Sequence, residues 1–369
     1  MKTLILHAGL HKTGSTSIQE SLGIRKDVLE QEGYRYPAFR NPDGVLEYNH
    51  SYMFQLAFSN APSQLAIVKK RGWDPTLAAS CYYNQLRVAM EDCPNLILSG
   101  EGISRLNELE LKKIKELFNT WKINVITYVR PAYSFFCSAQ QERIKNGTVS
   151  NIVPDRLPNS ESDTITRLQR VFNNITFISF SDACRHQLGP AGDFFDRFQL
   201  SYGKQDNRHV SNIGLGNIVT RLCAHLNDRL NTGKSPEYDS AKSSFQSPLL
   251  AIKEQKFRLC KNELVKIQSF LVEENLKIYK LTGLDFRDEV MTTSSLSRLD
   301  MLQSCSIIWN LSKQDVIIRD SGIRYLHKNS LVHDVSLVLL PFLTLFARIH
   351  SLISAKAVHL IKFLKAIMR

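Results

Sequence analysis

The sequence predicts an α/β fold, a P-loop-like parallel sheet flanked by helices with a C-terminal helical extension, and three observations carry the prediction. Short apolar runs rich in β-branched residues recur at Leu4–Leu6, Asn95–Leu98, Asn124–Val129 and Ile175–Ser179. Each has the length of a strand buried on both faces. Stretches of helical pattern lie between these runs, the alternation of a crossover-connected parallel sheet. The first run also passes into Gly9 and Gly14 and then into a helix-compatible stretch, so the chain opens as strand, glycine turn and helix.

The elements follow in order. Leu4, Ile5 and Leu6 form the first strand, and the helix after it is entered through Ser15, Thr16 and Ser17. Ser21 to Glu32 reads as helical and stops near Gly33. Tyr34 to Pro37 is extended, because the residue before a proline avoids the α region. Arg40 to Tyr48, with Pro42 and Gly44, reads as a loop, and Asn49-His50 opens a short helix, Ser51 to Phe58. Asp74-Pro75 combines an N-cap with proline at the first helical position, predicting a helix to about Met90. The Asn95–Leu98 strand ends in Ser99-Gly100-Glu101-Gly102. Leu109 to Trp121 carries apolar residues at helical spacing with lysines between them, an amphipathic helix. The Asn124–Val129 strand ends at Arg130-Pro131, and Ala132 to Lys145 is a helix that Asn146-Gly147 breaks. Residues 146–160 form a long polar loop before the Ile175–Ser179 strand, and Leu249 to Leu281 reads as one long helix or two, ending near Gly283.

Composition sets bounds on the partners. The 369 residues carry a formal charge of +12, which points to acidic partners such as nucleotide phosphates, anionic glycans or a membrane surface. Nucleic acid is not expected, since there is no zinc-ligand spacing and no basic run interleaved with aromatics. The seven cysteines are scattered and odd in number, the usage of a reducing compartment. With a strand beginning at residue 3 or 4, no secretory leader or N-terminal anchor is expected, and the location expected is cytoplasmic.

The stretch LILHAGLHKTGSTSIQ, Leu4 to Gln19, is where the chemistry begins. A glycine turn entering a helix aims backbone N–H groups and the positive end of the helix dipole at one point, which suits a phosphate or sulfate. Gly9 and Gly14 have the spacing of the P-loop glycines, but Ser15 stands where the P-loop lysine would be and Lys12 lies inside the loop. With that internal lysine, K-T-G-S-T resembles the 5′-phosphosulfate loop of sulfotransferases that use 3′-phosphoadenosine 5′-phosphosulfate (PAPS), and the surrounding HAGLHKTGSTSIQ is similar to their bacterial branch.

A second constellation sits in YVRPAYSFFCSAQQE. Arg130 lies at a strand's carboxyl end, where open α/β sheets bind ligands, with Ser134 and Ser138 following on one helix face. An arginine fork with helix hydroxyls makes a phosphate clamp. Arginine after a strand with serine eight residues later resembles the 3′-phosphate motif of the same superfamily. The resemblance covers roughly residues 1–230 and implies that Lys12, Thr13, Gly14, Ser15, Thr16 and Ser17 hold the 5′-phosphosulfate while Arg130 and Ser138 hold the 3′-phosphate. A third, partial match is RHVSNIGLG: Asn212 and Leu215 fit the family pattern, whereas Gly214 and Gly216 replace its serines. It implies a cofactor role for Asn212, while Arg208 reads first as a solvated loop arginine and second as a basic residue near the nucleotide.

The activity so implied is transfer of a sulfuryl group to an acceptor hydroxyl or amine, expected on a glycan or lipid-linked saccharide. Lys12 and the loop N–H groups are placed to stabilise charge on the leaving 5′-phosphate oxygen. A hydroxyl acceptor also needs a base. Glu101, at a strand's carboxyl edge in SGEG, ranks first, and His50, in the loop sequence NHS, second. The chemistry requires no metal. Two alternatives stay open: a P-loop kinase or NTPase, which the displaced Lys12 disfavours, and a non-catalytic nucleotide-binding, membrane-associated protein.

Three regions are expected: an α/β domain over 1–290, a linker or accessory helical region over 291–330, and a basic amphipathic tail over 331–369. From Val335 to Arg369 there is no acidic residue, and apolar residues at helical spacing run beside Lys356, His359, Lys362, Lys365 and Arg369. Such a helix fits the interface of an anionic membrane, which would place the protein peripherally on the inner face. Docking on the domain or on a partner subunit is the other reading of the tail.

Overall fold

The computed structural model describes residues 1–154, 160–202, 214–229 and 255–294. Two compact units divide the chain: Met1–Arg143, Ile152–Leu215 and Lys256–Ser294 make the first, and residues 144–151, 216–229 and 255 are the described part of the second. The expected linker and tail, from residue 295 onward, lie outside the described residues.

The first unit opens with β1 (Thr3–Ala8), α1 (Ser15–Ile24), α2 (Lys26–Gln31) and β2 (Tyr34–Arg35). The expected single helix over 21–32 is therefore two, because the Arg25 N–H turns back onto the carbonyls of Ser21 and Leu22, both at 3.2 Å, and ends α1. The expected loop at 40–48 is a short ribbon of β3 (Phe39–Arg40) and β4 (Leu46–Glu47). Its turn is closed by the Val45 N–H donating to Asn41 Oδ1 (2.9 Å) and by Gly44 at φ +84°. Then come α3 (Ser51–Phe58), α4 (Ala66–Arg71), α5 (Pro75–Ala89), β5 (Asn95–Gly100) and α6 (Glu108–Leu117). Asp74 accepts from the Leu77 N–H (2.8 Å) and starts α5, as its sequence predicts.

The chain continues through β6 (Lys122–Val129), α7 (Ala132–Lys145), α8 (Glu161–Val171), β7 (Ile175–Ser179), α9 (Phe180–Ala183) and α10 (Gly189–Arg197). In the second unit α11 (Asn217–Arg229) is tied to residues 144–149 by Asn227, whose amide donates to the carbonyls of Ile144 and Val149 (both 2.8 Å). The first unit closes with α12 (Lys261–Val265) and α13 (Gln268–Thr282), so the stretch before Gly283 holds two described helices. Gly283, at φ +75°, supplies the left-handed residue that ends α13.

Five strands form one parallel sheet in the order β2-β5-β1-β6-β7. Alternation along β1 buries Leu4, Leu6 and Ala8 in one core layer, with Phe54, Tyr82, Leu98 and Ile114, while Ile5 faces the other, with Ile18, Leu22, Tyr128 and Phe194. Both faces are covered, so the strands read as continuous apolar runs. The chain changes sides of β1 between β5 and β6, and this leaves a crevice at the carboxyl end of β1, where such sheets bind ligands. Among the described residues no helix is long and apolar enough to cross a membrane.

Candidate active site

Three strand ends meet at that edge. Ala8 pairs with Gly100 across β1 and β5, and β6 lies on the other side of β1 and ends one residue before Arg130. The glycine loop, Glu101 and Arg130 are thus neighbours because of strand order, although they are far apart in sequence.

The loop is built around its glycines and one strained lysine. Gly14 caps α1 at φ +76°, and Lys12 adopts φ +64°, a conformation rare for a residue with a side chain. A Cβ on Gly9 would collide with Ser15 Oγ and crowd the Glu101 side chain (3.3 Å), so glycine lets the loop approach both closely. Thr13, fully buried, donates to the Leu10 carbonyl (2.7 Å) and pins the loop. The N-terminus of α1 has no side-chain cap and no acidic residue in its first turn. Ser15 Oγ, buried beneath it, has no hydrogen-bond partner among the described residues. An uncapped helix start over an orphaned hydroxyl is what an anion site offers. Thr16 and Ser17 stand half-exposed in the same first turn.

Four charged side chains ring this loop. His11 Nε2 lies 2.8 Å from Glu142 Oε2, His11 Nδ1 lies 3.5 Å from Glu101 Oε2, and Lys12 Nζ lies 3.3 Å from Glu142 Oε2. Burial disfavours the charged His11 ring, but the two carboxylates outweigh it and raise its pKa to about 9. His11 is therefore an imidazolium at neutral pH. Contact with His11, set against burial and helped by Lys12, holds Glu142 down at about 2.

Arg130 joins the second motif to the first. Its Nη1 donates to the Lys12 carbonyl (2.8 Å), its Nε donates to Ser134 Oγ (3.2 Å), and its guanidinium lies 5.0 Å from the Phe180 ring centroid. No carboxylate among the described residues lies within ion-pair distance of it. Its acidic neighbour Glu161 is buried with both oxygens unpartnered among the described residues, and burial pushes that carboxyl well above the usual range. Burial thus opposes the charged form of Glu161, the acidic neighbour closest in effect to Arg130. Burial, more than any neighbouring charge, lowers the Arg130 pKa, and the charge of Arg258, whose guanidinium lies 6.0 Å from the Tyr133 ring centroid, adds a smaller push in the same direction. Ser138 is half-exposed on α7, one turn beyond Ser134 and one turn before Glu142. The start of α7 is already occupied, since Asn275 accepts from the Ala132 N–H (2.8 Å) and Glu289 accepts from those of Tyr133 and Ser134 (both 3.0 Å). The first helix amides of α7 are therefore not open to an anion.

His50 stands apart from this group. It is fully buried against Tyr36 and Phe39, its Nδ1 accepts from the Ser99 N–H (3.1 Å), and its Nε2 donates to the Pro37 carbonyl (2.8 Å). Burial lowers its pKa to about 4 despite the Pro37 bond. With both nitrogens held by backbone, the ring as placed offers neither lone pair nor proton to an acceptor. Asn212 and Arg208 lie outside the described residues.

Sequence reasoning missed His11, Glu142 and Arg258. The first two carried a signal: His11 adjoins Lys12, and Glu142 extends the Ser134–Ser138 stripe by one more turn. Arg258 carried none, for only the fold brings it to α7. Among the described residues no cluster of histidine, cysteine and carboxylate side chains is arranged to hold a metal.

Three solved structures are similar. A sulfotransferase from Alicyclobacillus acidocaldarius aligns with a TM-score of 0.40 and 9% identity, over 78% of this chain and 98% of that one. Retinol dehydratase in complex with retinol and PAP aligns with a TM-score of 0.35 and 12% identity, over 78% and 84%. Retinol dehydratase with androsterone and the inactive cofactor PAP aligns with a TM-score of 0.34 and 11% identity, over 78% and 83%. No family model and no curated protein matches the chain.

Proposed function

We infer that the protein is a PAPS-dependent sulfotransferase acting on an acceptor hydroxyl or amine, with a glycan or lipid-linked saccharide as the acceptor class. One observation carries the reading: Arg130 bonds the Lys12 carbonyl, so two motifs 118 residues apart, each resembling one half of a PAPS site, converge at one strand edge. The nucleotide would supply the sulfuryl group together with a bisphosphate leaving group. The residues fit it: the uncapped start of α1 and Ser15 Oγ suit the 5′-phosphosulfate, and Arg130, Arg258 and Ser138 suit the 3′-phosphate.

Lys12 and the loop amides stabilise the charge that grows on the 5′-phosphate oxygen as its bond to sulfur breaks. Glu101 takes the acceptor's proton while the acceptor oxygen bonds to sulfur, and adenosine 3′,5′-bisphosphate leaves. His11, held between Glu101 and Glu142, orients the Glu101 carboxylate. His50 is a positioning residue: it fixes the Ser99 backbone two residues before Glu101.

Thermal shift and turnover test this reading. Adenosine 3′,5′-bisphosphate should raise Tm and ATP with Mg²⁺ should not; the reverse would favour a kinase or NTPase. Labelled PAPS should turn over with a member of a glycan panel, and Lys12→Ala should cut that turnover by about a hundredfold or more while leaving Tm unchanged. Normal turnover by the variant would dismiss the loop as the site. For the tail, outside the described residues, the acid-free pattern of 335–369 supports attachment to an anionic inner-membrane surface, with salt-sensitive vesicle flotation as its check.

A further inference from the structure

A cavity of about 620 Å³ opens beside the candidate active site, between α3, the segment from residue 59 to α4, and the start of α6. Its volume is that of a small-molecule site. A five-residue 3-10 helix, Glu101–Arg105, links the two places, with Glu101 at the loop and Arg105 on the cavity wall. At about 2 Å rise per residue these positions are roughly 8 Å apart along the helix axis, within one sugar unit or two. The link is held tightly: a Cβ on Gly102 would collide with the Ser51 carbonyl, so the 3-10 helix lies directly on the first turn of α3.

The lining has a definite chemistry. Arg105 and Lys70 both line it, are exposed, and have no carboxylate partner among the described residues. The acid of the wall, Glu110, is spent on backbone, since its oxygens accept from the Asn60 N–H (2.8 Å) and the Asn107 N–H (2.9 Å). Gln55, only 8% exposed, turns into the cavity with no side-chain hydrogen bond among the described residues. Lys113 occupies Asn60 Oδ1 (2.7 Å), which leaves the Asn60 amide donor available. Tyr52 adds a hydroxyl one turn of α3 before Gln55.

Uncancelled cations beside neutral amides and a phenol are suited to a ligand rich in hydroxyls that also carries negative charge. We propose that this cavity binds the acceptor, and that the acceptor is an acidic saccharide carrying carboxylate or sulfate groups, held by Arg105 and Lys70 at its charges and by Gln55, Asn60 and Tyr52 at its hydroxyls, with the hydroxyl to be modified reaching Glu101. The assignment as an acceptor site rests on the sulfotransferase reading; the binding of an acidic saccharide does not.

Calorimetry on the full chain without nucleotide tests it, with tetragalacturonate, maltotetraose and tripolyphosphate as probes and adenosine 3′,5′-bisphosphate titrated separately. Tetragalacturonate should bind at least about tenfold more tightly than maltotetraose. Arg105→Ala with Lys70→Ala should weaken it by about tenfold or more, the loss expected for charge-assisted bonds, and leave the nucleotide affinity unchanged. Gln55→Leu should weaken tetragalacturonate and leave tripolyphosphate as it was. Both surface cations are exposed, so the double variant should melt with the wild type. Equal binding of the two saccharides, no binding of either, an unaffected double variant, or indifference of the saccharide to Gln55→Leu would each overturn the proposal. Should the wild type bind tetragalacturonate as expected but not adenosine 3′,5′-bisphosphate, the nucleotide reading would fall and the saccharide site would stand.

Discussion

His11 and His50 lie at the same end of the same sheet and have opposite surroundings. His11 sits in a half-open ring of charge, between Glu101 and Glu142 and beside Lys12, and is held protonated. His50 sits in a dry layer beneath, both nitrogens on backbone, and is held neutral. His7 belongs to the dry layer as well: its Nδ1 shares a hydrogen bond with Ser99 Oγ (2.7 Å), its ring meets Tyr128 and Phe194 edge-on, and burial lowers its pKa to about 3. Residue type does not separate chemistry from scaffolding here; access to water and the presence of a carboxylate partner do. The dry layer fixes where β5 ends, and the charged ring lies just beyond that end.

The comparison breaks most sharply at Glu101. Glu101→Gln keeps the shape of the side chain and removes its basicity, so kcat should fall by about 10²–10⁴ while the affinity for adenosine 3′,5′-bisphosphate stays. If Glu101→Gln is active and removal of His50 abolishes turnover without loss of Tm, the roles of ring and layer are exchanged.

Arg130→Ala comes next. It removes a guanidinium that also braces the Lys12 carbonyl. Affinity for adenosine 3′,5′-bisphosphate should fall by about 1.5–3 kcal/mol, and affinity for the analogue lacking the 3′-phosphate should fall much less. Equal losses by calorimetry would show that Arg130 serves the loop and not the phosphate.

Much of this edge was legible in the sequence because it depends on local rules. Gly9 and Gly14 announce a turn into a helix, and Arg130 before Pro131 announces a strand end followed by a helix. What was not legible depends on strand order. Nothing in the sequence near Glu101 says that β5 lies against β1, and that pairing is what brings Glu101 to His11. The burial of His50 was hidden for the same reason: the sequence shows NHS after a loop, but not that the glycines at 100 and 102 let α3 settle onto β5 and take its N-cap histidine inside. Arg258 reaches Tyr133 only through the fold of a distant segment.

The smallest expected effects are in pH-dependent stability, and they set the two histidines directly against each other. The His50 pKa falls from 6.5 to about 4 on folding, so the unfolded chain binds the extra proton. Its contribution is present above pH 6.5 and is lost as pH falls through about 4, with His7 acting in the same direction down to about 3. The His11 pKa rises from 6.5 to about 9, so the folded chain binds the extra proton. Its contribution is complete below pH 6.5 and is lost as pH rises through about 9. His11 is 38% exposed, so solvent screening limits this limb to roughly 1 kcal/mol or less. Urea melts from pH 4 to pH 10 should therefore show His11→Gln flattening the alkaline limb alone. His50→Gln should lower stability at every pH, since its backbone partners lose their geometry, and should also flatten the acid limb. An alkaline limb unchanged in His11→Gln would mean that the Glu101–His11–Glu142 bridge does not form in solution, and Glu101 would then need another group to orient it.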